Sequence, residues 1–281
     1  MIKGISRSAL GTLMLLLVPG AFLLVFFVVP LAASIGASVG FPDVSFASYQ
    51  HLFNTPVYQS VYWKTLRIAL IVTLICVFVG YPCAYYIASL RPKARSIAII
   101  LIAMPFMLSV LVRNYVWMLA LQNTGLVNRL LMELGWLDSP LQLMYNSFAV
   151  TIAMVNMLLP YMILPVLSAL LAVPGDLGSA STSLGANGWR TFMRVTLPLT
   201  MPGIAVGALL TFIVSLGFYI TPAMLGGTRE MMVATLIAFN VREVLNWPLA
   251  FSLSTTLLAS TIVLYMMYRA LLPQSTVMKA V

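Results

Sequence analysis

Few side chains in this sequence are of types that do chemistry, and their spacing excludes most of it. The single histidine, His51, stands alone, and the two cysteines, Cys76 and Cys83, are seven residues apart in an apolar run. One histidine and two cysteines do not make the ligand set of a zinc site. Two thiols separated by two helical turns on one face are too distant for a disulfide, so they read as packing groups. None of the six acids lies inside a long apolar run, so paired carboxylates at membrane depth are missing. No G-x-x-x-x-G-K-[ST] loop occurs, and the pair Gly226-Gly227 has no lysine after it. The chain therefore does not grip nucleotide phosphates by that loop. What remains is a set of polar and aromatic groups set in or beside apolar runs: Arg113, Tyr115, Asn156, Tyr161, Ser215, Tyr219 and Thr221. Glu230 and Glu243 lie between two such runs. Such groups at membrane depth could line a pathway, and a charge there, as at Arg113, is a functional candidate by default. Their alternative reading is helix-to-helix packing through ordinary polar contacts. Arg113 likewise has two readings, a functional contact, or an anchor that snorkels outward. Lys64 and Arg67, at the start of a run, read as anchors. Pro160 and Pro165 are expected to break the helix beside Asn156 and free backbone carbonyls for a cavity.

The elements that must position these residues are membrane spans. Apolar residues make up 62% of the 281 and charged residues only 7%, far below the ~25% of a soluble domain. That leaves too little charge to coat a water-facing surface, and it excludes a soluble enzyme and a disordered chain alike. A hydrocarbon core of about 30 Å needs roughly 20 apolar residues of helix. Continuous apolar runs, without the alternation of barrel strands, predict six spans. They cover about 9–37, 66–90, 97–121, 147–173, 197–220 and 250–271. Lys3 and Arg7 also suit a signal peptide, but the run that follows is roughly twice the usual 7–15 residues, so an uncleaved first span is expected. The fold class is an all-α membrane protein in one transmembrane domain, residues 1–281.

The net charge of +9 has a topological meaning. Six spans put both termini on one side. That side holds Lys3, Arg7, Arg91, Lys93, Arg95, Arg190, Arg194, Arg269 and Lys279 against Asp176 alone. The other side holds six basic residues against five acids. Basic loops stay in the cytoplasm, so both termini are expected there, and no nucleic-acid partner is needed to explain the charge.

The longest inner loop, 174–198, carries the most specific pattern. Leu177, Leu184 and Trp189 are apolar in a water-facing loop, which suggests a packed helical piece. Gly185 and Gly188 would turn it tightly, and Pro198 suits the first turn of the next span. This arrangement resembles the cytoplasmic motif of permease subunits of ATP-binding-cassette importers: Glu-Ala-Ala, three residues, Gly, nine residues, Ile, any residue, Leu-Pro. Ser179-Ala180-Ser181 stands at the Glu-Ala-Ala position, Gly185 at the Gly, Val195 at the Ile, and Leu197-Pro198 at the end. Ser179 replaces the family's glutamate. A second resemblance, to the spermidine/putrescine branch, covers Arg113, Tyr115, Trp117, Gly125, Asn128 and Gly135, then Gly217 to Gly227, then Glu243 to Trp247.

The resemblance implies the type I importer permease fold in a bacterial inner membrane. It implies an assembly with a second homologous permease, two ATPase subunits that bind ATP and Mg, and an extracytoplasmic solute-binding protein. Ser179, Ala180, Ser181, Leu184, Gly185, Ala186, Trp189, Leu197 and Pro198 would form the coupling element. The substrate implied is a polyamine or related small organic cation, with amino-acid-like compounds, opines or phosphonates as alternatives. A membrane enzyme and a stand-alone channel or secondary carrier are the rivals. The first lacks its acid, serine and histidine sets, and the second lacks coupling acids and evident inverted repeats.

Overall fold

The computed structural model describes residues 7–227 and 230–271. Lys3, Arg229 and Lys279 of the charge count, and the side chain of Ser179, lie outside that set. The described residues form helices α1 (Arg7–Leu23), α2 (Val29–Ser38), α3 (Ala47–Asn54) and α4 (Pro56–Ser89). Then come α5 (Pro92–Met107), α6 (Val110–Leu121), α7 (Leu126–Glu133) and α8 (Ser147–Ala172). The remainder is α9 (Asp176–Ser183), α10 (Gly188–Thr191), α11 (Leu197–Leu216), α12 (Val233–Phe239) and α13 (Trp247–Leu271). No strand occurs among the described residues.

Five helical stretches are long and apolar enough to cross a membrane: Leu15–Ser38, Pro56–Ser89, Ser147–Ala172, Gly188–Leu216 and Trp247–Ala270. The third expected span, about 97–121, is not one helix. α5 and the stretch Val110–Glu133 meet at a bend of 95°. Leu108 and Ser109 are extended there, with ψ of 142° and 134°. Pro105 in the last turn of α5 has no N–H to return to Leu101, which loosens the helix just ahead of the bend.

The second span starts ten residues before its expected bound, at Pro56, so Lys64 and Arg67 lie within a helix of about 50 Å. The fifth starts at Gly188, nine residues early. Pro198 does not begin that span. The π-helical turn Phe192–Thr196 joins α10 to α11, and Leu197 N–H reaches five residues back to the Phe192 carbonyl. This wider turn re-routes the ladder around a proline that has no donor. The expected break in the fourth span is also absent: α8 is continuous with Pro160 and Pro165 inside it.

The core lies where α4, α8 and α11 pack together, around Ile68, Val72, Cys76, Met154, Leu158, Met162 and Val166. Small residues bring the backbones close. A Cβ on Gly203 would lie 2.5 Å from the Ala169 Cβ, and one on Gly80 would lie 2.9 Å from the Met162 Cγ. Of the two cysteines, Cys76 is buried but Cys83 is exposed, because the packed stripe past Pro82 runs through Ala84 and Ile87 instead. α2 lies on α13, where Ser252 Oγ donates to the Ser38 carbonyl at 3.1 Å.

Candidate functional site

Two regions carry the candidate residues. The first is the loop between α8 and α11, which folds into a short two-helix knob. α9 ends at Ser183, and Gly185 then turns the chain at φ +79°, a left-handed conformation that an L side chain rarely adopts. Leu184 N–H donates to the Ala180 carbonyl at 3.1 Å, and Ala186 N–H to the Ser181 carbonyl at 3.0 Å, closing the end of α9. Asn187 caps α10 by accepting the Arg190 N–H at 2.9 Å. Ser181 Oγ and Thr191 Oγ1 lie 2.7 Å apart, so the two short helices are tied side to side.

The knob is fixed to the bundle through aromatic rings. Trp189 stacks on Phe192 at 5.8 Å, and Phe192 meets Tyr81 and Tyr85 of α4 edge-on at 5.9 and 5.7 Å. Tyr81 Oη and Thr200 Oγ1 lie 3.0 Å apart, linking α4 to α11 just above. Leu197 packs on the core, and Pro198 is exposed. Leu177, Leu184 and Trp189 are exposed on this packed piece. Leu184 is 88% and Trp189 66% exposed, so a rigid support presents apolar side chains outward. A monomer rarely leaves such groups clustered in water without a partner to cover them.

The second region is the polar set at membrane depth, and it is not one site. Phe106 of α5 meets Tyr161 of α8 edge-on at 5.1 Å. Tyr161 lies about 21 Å along α8 from Ser147, so the bend between α5 and α6 falls near the middle of that span. Further out, Trp117 Nε1 donates to the exposed Asn156 Oδ1 at 3.4 Å. Arg113 stands one turn before Trp117 on α6, between these two levels, and its Nε is buried with no hydrogen-bond partner. Tyr115 is exposed and leaves α6 about 200° around the axis from Arg113, so the two face different surroundings.

Ser215 and Thr221 are fully buried and bonded within the chain. Ser215 Oγ donates to the Thr211 carbonyl at 2.7 Å, and Thr221 Oγ1 to Met157 Sδ at 3.5 Å. Tyr219 is engaged by Arg242, whose guanidinium donates to its hydroxyl at 3.1 Å and lies 5.6 Å from its ring centre. Glu243, next to Arg242 in the π-helical turn Asn240–Val244, is exposed. Arg242 and Tyr219 are 23 residues apart, with no local spacing to announce the pair.

Glu230 is not a solvated loop acid. It accepts from Ser147 Oγ at 2.7 Å and lies 3.7 Å from Lys64 Nζ, tying α4, α8 and the segment before α12. Its side chain is only 16% exposed. Glu230→Ala should therefore destabilise the fold by about 1–2 kcal/mol, and Glu230→Gln, which keeps an acceptor for Ser147, by less. Thermal unfolding in detergent checks this order, and equal losses would mean that the hydrogen bond contributes nothing.

Three comparisons place the chain among known proteins. Residues 76–276 match the family described as binding-protein-dependent transport system inner membrane component. The spermidine/putrescine transport system permease protein PotB of Haemophilus influenzae is 36% identical over 230 residues, 81% of this chain and 79% of that protein. PotB of Escherichia coli is 34% identical over 75% of this chain and 76% of its own length. Among solved structures, a bacterial alginate ABC transporter in complex with an alginate pentasaccharide-bound periplasmic protein aligns with TM-score 0.79 at 20% identity, over 97% of this chain and 96% of that one. A second structure of a bacterial ABC transporter, involved in the import of the acidic polysaccharide alginate, gives 0.76 at 18% identity over 96% and 98%. At such identities the structures establish the fold alone, the all-helical fold of these transporter chains. Multiple apolar spans, the knob between α8 and α11, and a family match across most of the chain agree, and the chain belongs to the binding-protein-dependent transport system inner membrane components, the multi-pass permease subunits of bacterial importers.

Proposed function

We propose that this permease imports polyamines or closely related small organic cations, and that its α9–α10 knob is the element through which separate ATPase subunits drive it. The observation that carries the coupling role is the exposure of Leu184 and Trp189 on a knob held by Ser181, Thr191 and Phe192. The side chains around Gly185 would enter a groove of the ATPase, and the ring contacts from Phe192 to Tyr81 and Tyr85 would carry the displacement into α4. ATP-driven closure of two ATPases would bring two such knobs together and switch the spans between outward and inward access. Docking then rests on Leu184, Gly185 and their neighbours rather than on an acid, since Ser179 replaces the glutamate of the motif.

The polyamine assignment is supported by the PotB relatives, named for spermidine and putrescine. In this reading residues 1–281 are one transmembrane domain with both termini in the cytoplasm, as the basic loops favour. A second homologous permease completes the pathway, two ATPases bind ATP and Mg, and an extracytoplasmic protein delivers the solute. Arg113, Tyr115, Asn156, Tyr161, Tyr219 and Glu243 are the groups of this chain offered to the pathway. Ser215 and Thr221, with their partners inside the bundle, hold its wall.

The test is purification of tagged protein from its native membrane, followed by reconstitution with its binding protein. An ATPase should co-purify, and labelled spermidine or putrescine should accumulate in vesicles only with ATP. Isolation as a lone active transporter would sink the coupling role. A complex that hydrolyses ATP in response to its loaded binding protein but moves no polyamine would sink the substrate assignment.

A further inference from the structure

A cleft of about 410 Å³ opens at the outer end of α6, between the turn 122–125 and the irregular segment leading into α8. This is within the size range of small-ligand sites. One wall carries Gln122, Asn123 and Thr124, and the facing wall Gln142 and Tyr145, with Tyr115 below on α6. Among the described residues, no lysine, arginine, aspartate or glutamate lines it.

The two walls are held in register by one side chain. Asn128 of α7 is fully buried, and its Nδ2 donates to the Gln122 carbonyl at 3.3 Å and to the Leu141 carbonyl at 2.9 Å. Its Oδ1 accepts the Leu141 N–H at 2.9 Å. The amide thus spends its bonding capacity stapling one wall to the other. The rim is held independently. Asn146 caps α8 by accepting the Ala149 N–H at 3.0 Å and donates to the Gln142 carbonyl at 2.9 Å. Tyr145, at φ +59°, donates its N–H to the Leu225 carbonyl at 2.9 Å. A non-glycine residue persists in that conformation only where its surroundings over-determine it.

We propose that this cleft is an outer subsite for the primary ammonium group of a linear alkylamine, entered as the solute leaves the binding protein; the proposal rests on the polyamine reading above. An ammonium carries three N–H donors and needs oxygen acceptors. Gln122, Asn123 and Gln142 offer amide oxygens, and Tyr115 and Tyr145 offer ring faces to the charge. Met118, Leu119 and Met144 complete the lining and suit the methylene chain. Arg113 leaves α6 on another side, so its charge does not enter the cleft. The absence of a carboxylate suits a transit site, where binding must be strong enough to admit the solute and weak enough to release it.

The test uses the assembled complex without its binding protein, and measures spermidine binding by equilibrium dialysis. Gln142→Lys should weaken binding about tenfold, and Gln142→Glu should tighten it by a similar factor, as expected of one charge added a few ångströms from the ligand near a surface. Opposite shifts separate an electrostatic contact from structural damage, which would move both variants the same way. Wild-type affinity in both variants, or no binding to the wild-type complex, overturns the subsite. So does a Gln142→Lys complex that binds spermidine normally but no longer retains the binding protein, since the cleft is then a docking surface. Absence of polyamine uptake by the complete wild-type system is a separate result and overturns the substrate assignment instead.

Discussion

Gly185→Val should reduce solute uptake at least about tenfold and release the ATPase subunits from the detergent-purified complex. No atom outside the local chain lies within 4 Å of a Cβ at this position, so the substituent meets open space. The effect comes from the backbone alone. At φ +79° an L residue costs about 1–2 kcal/mol, and a β-branched one more. A penalty of that size shifts the loop population roughly tenfold or more away from the turn between α9 and α10. Leu184 and Ala186 would lose their bonds to Ala180 and Ser181, and the apolar knob would no longer present one shape. Gly185→Asn, which tolerates the left-handed region, should retain most uptake, and Gly188→Ala, also facing open space, should behave as wild type. Co-purification of the ATPase, with uptake measured on the same preparations, checks all three. Wild-type coupling in Gly185→Val would remove the docking assignment.

The knob was legible in the sequence because its signals are local. A glycine at the turn and apolar residues in a polar loop both act over a few residues. The exposure of Leu184 and Trp189 is not written in their types, since an exposed apolar residue and a buried one are spelled alike and only the packing around them separates the two. Hydropathy found the spans, but proline alone did not locate the breaks. Pro160 is buried and Pro165 half-buried in α8, where α4 and α11 pack on both sides and keep the helix continuous. Pro105 lies where α5 has little support: Met107 two residues on is 90% exposed, and the chain bends there. The same residue type gives opposite results because tertiary packing decides whether a missing hydrogen bond can be absorbed. Non-helical backbone at membrane depth is tolerated only against protein or a water-filled cavity. In the assembly proposed above, that face of α5 and α6 would meet the second permease or the pathway between the two.

The cleft was illegible for a different reason. Asn128 comes from α7 and Gln142 and Tyr145 from the segment before α8, and Asn128 bridges to Leu141 across 13 residues of chain. Polar residues in a loop predict solvent, and nothing in their types or spacing says that one buried amide closes them around a cavity. The polar residues inside the spans divide similarly. Arg113 and Asn156 stand out in sequence, but their relation, with Trp117 beside Asn156, exists only once α6 lies against α8.

Gly203→Val should be the most destabilising single change in the bundle. α11 crosses α8 at this glycine so closely that a Cβ would lie 2.5 Å from the Ala169 Cβ and 2.8 Å from the Pro165 carbonyl oxygen. Both obstacles are fixed: a methyl on a helix, and a backbone atom in a helix that already tolerates two prolines. Neither can swing aside, so the two helices must separate, and the contacts of Met162 and Val166 loosen with them. Overpacking of this kind costs about 3 kcal/mol, the upper end of the usual range. For a chain of this size that lowers the unfolding temperature by roughly 5–10 °C. Gly80→Ala provides the contrast. Its Cβ would meet the Met162 Cγ at 2.9 Å and otherwise only side-chain atoms of Met162 and Ile163. The flexible thioether can shift, so the cost should stay below about 1 kcal/mol. Differential scanning fluorimetry on detergent-purified variants measures both. If Gly203→Val melts with the wild type, α8 and α11 are not in rigid contact. They could then slide during access switching, whereas the expected loss marks them as one body that rocks as a unit.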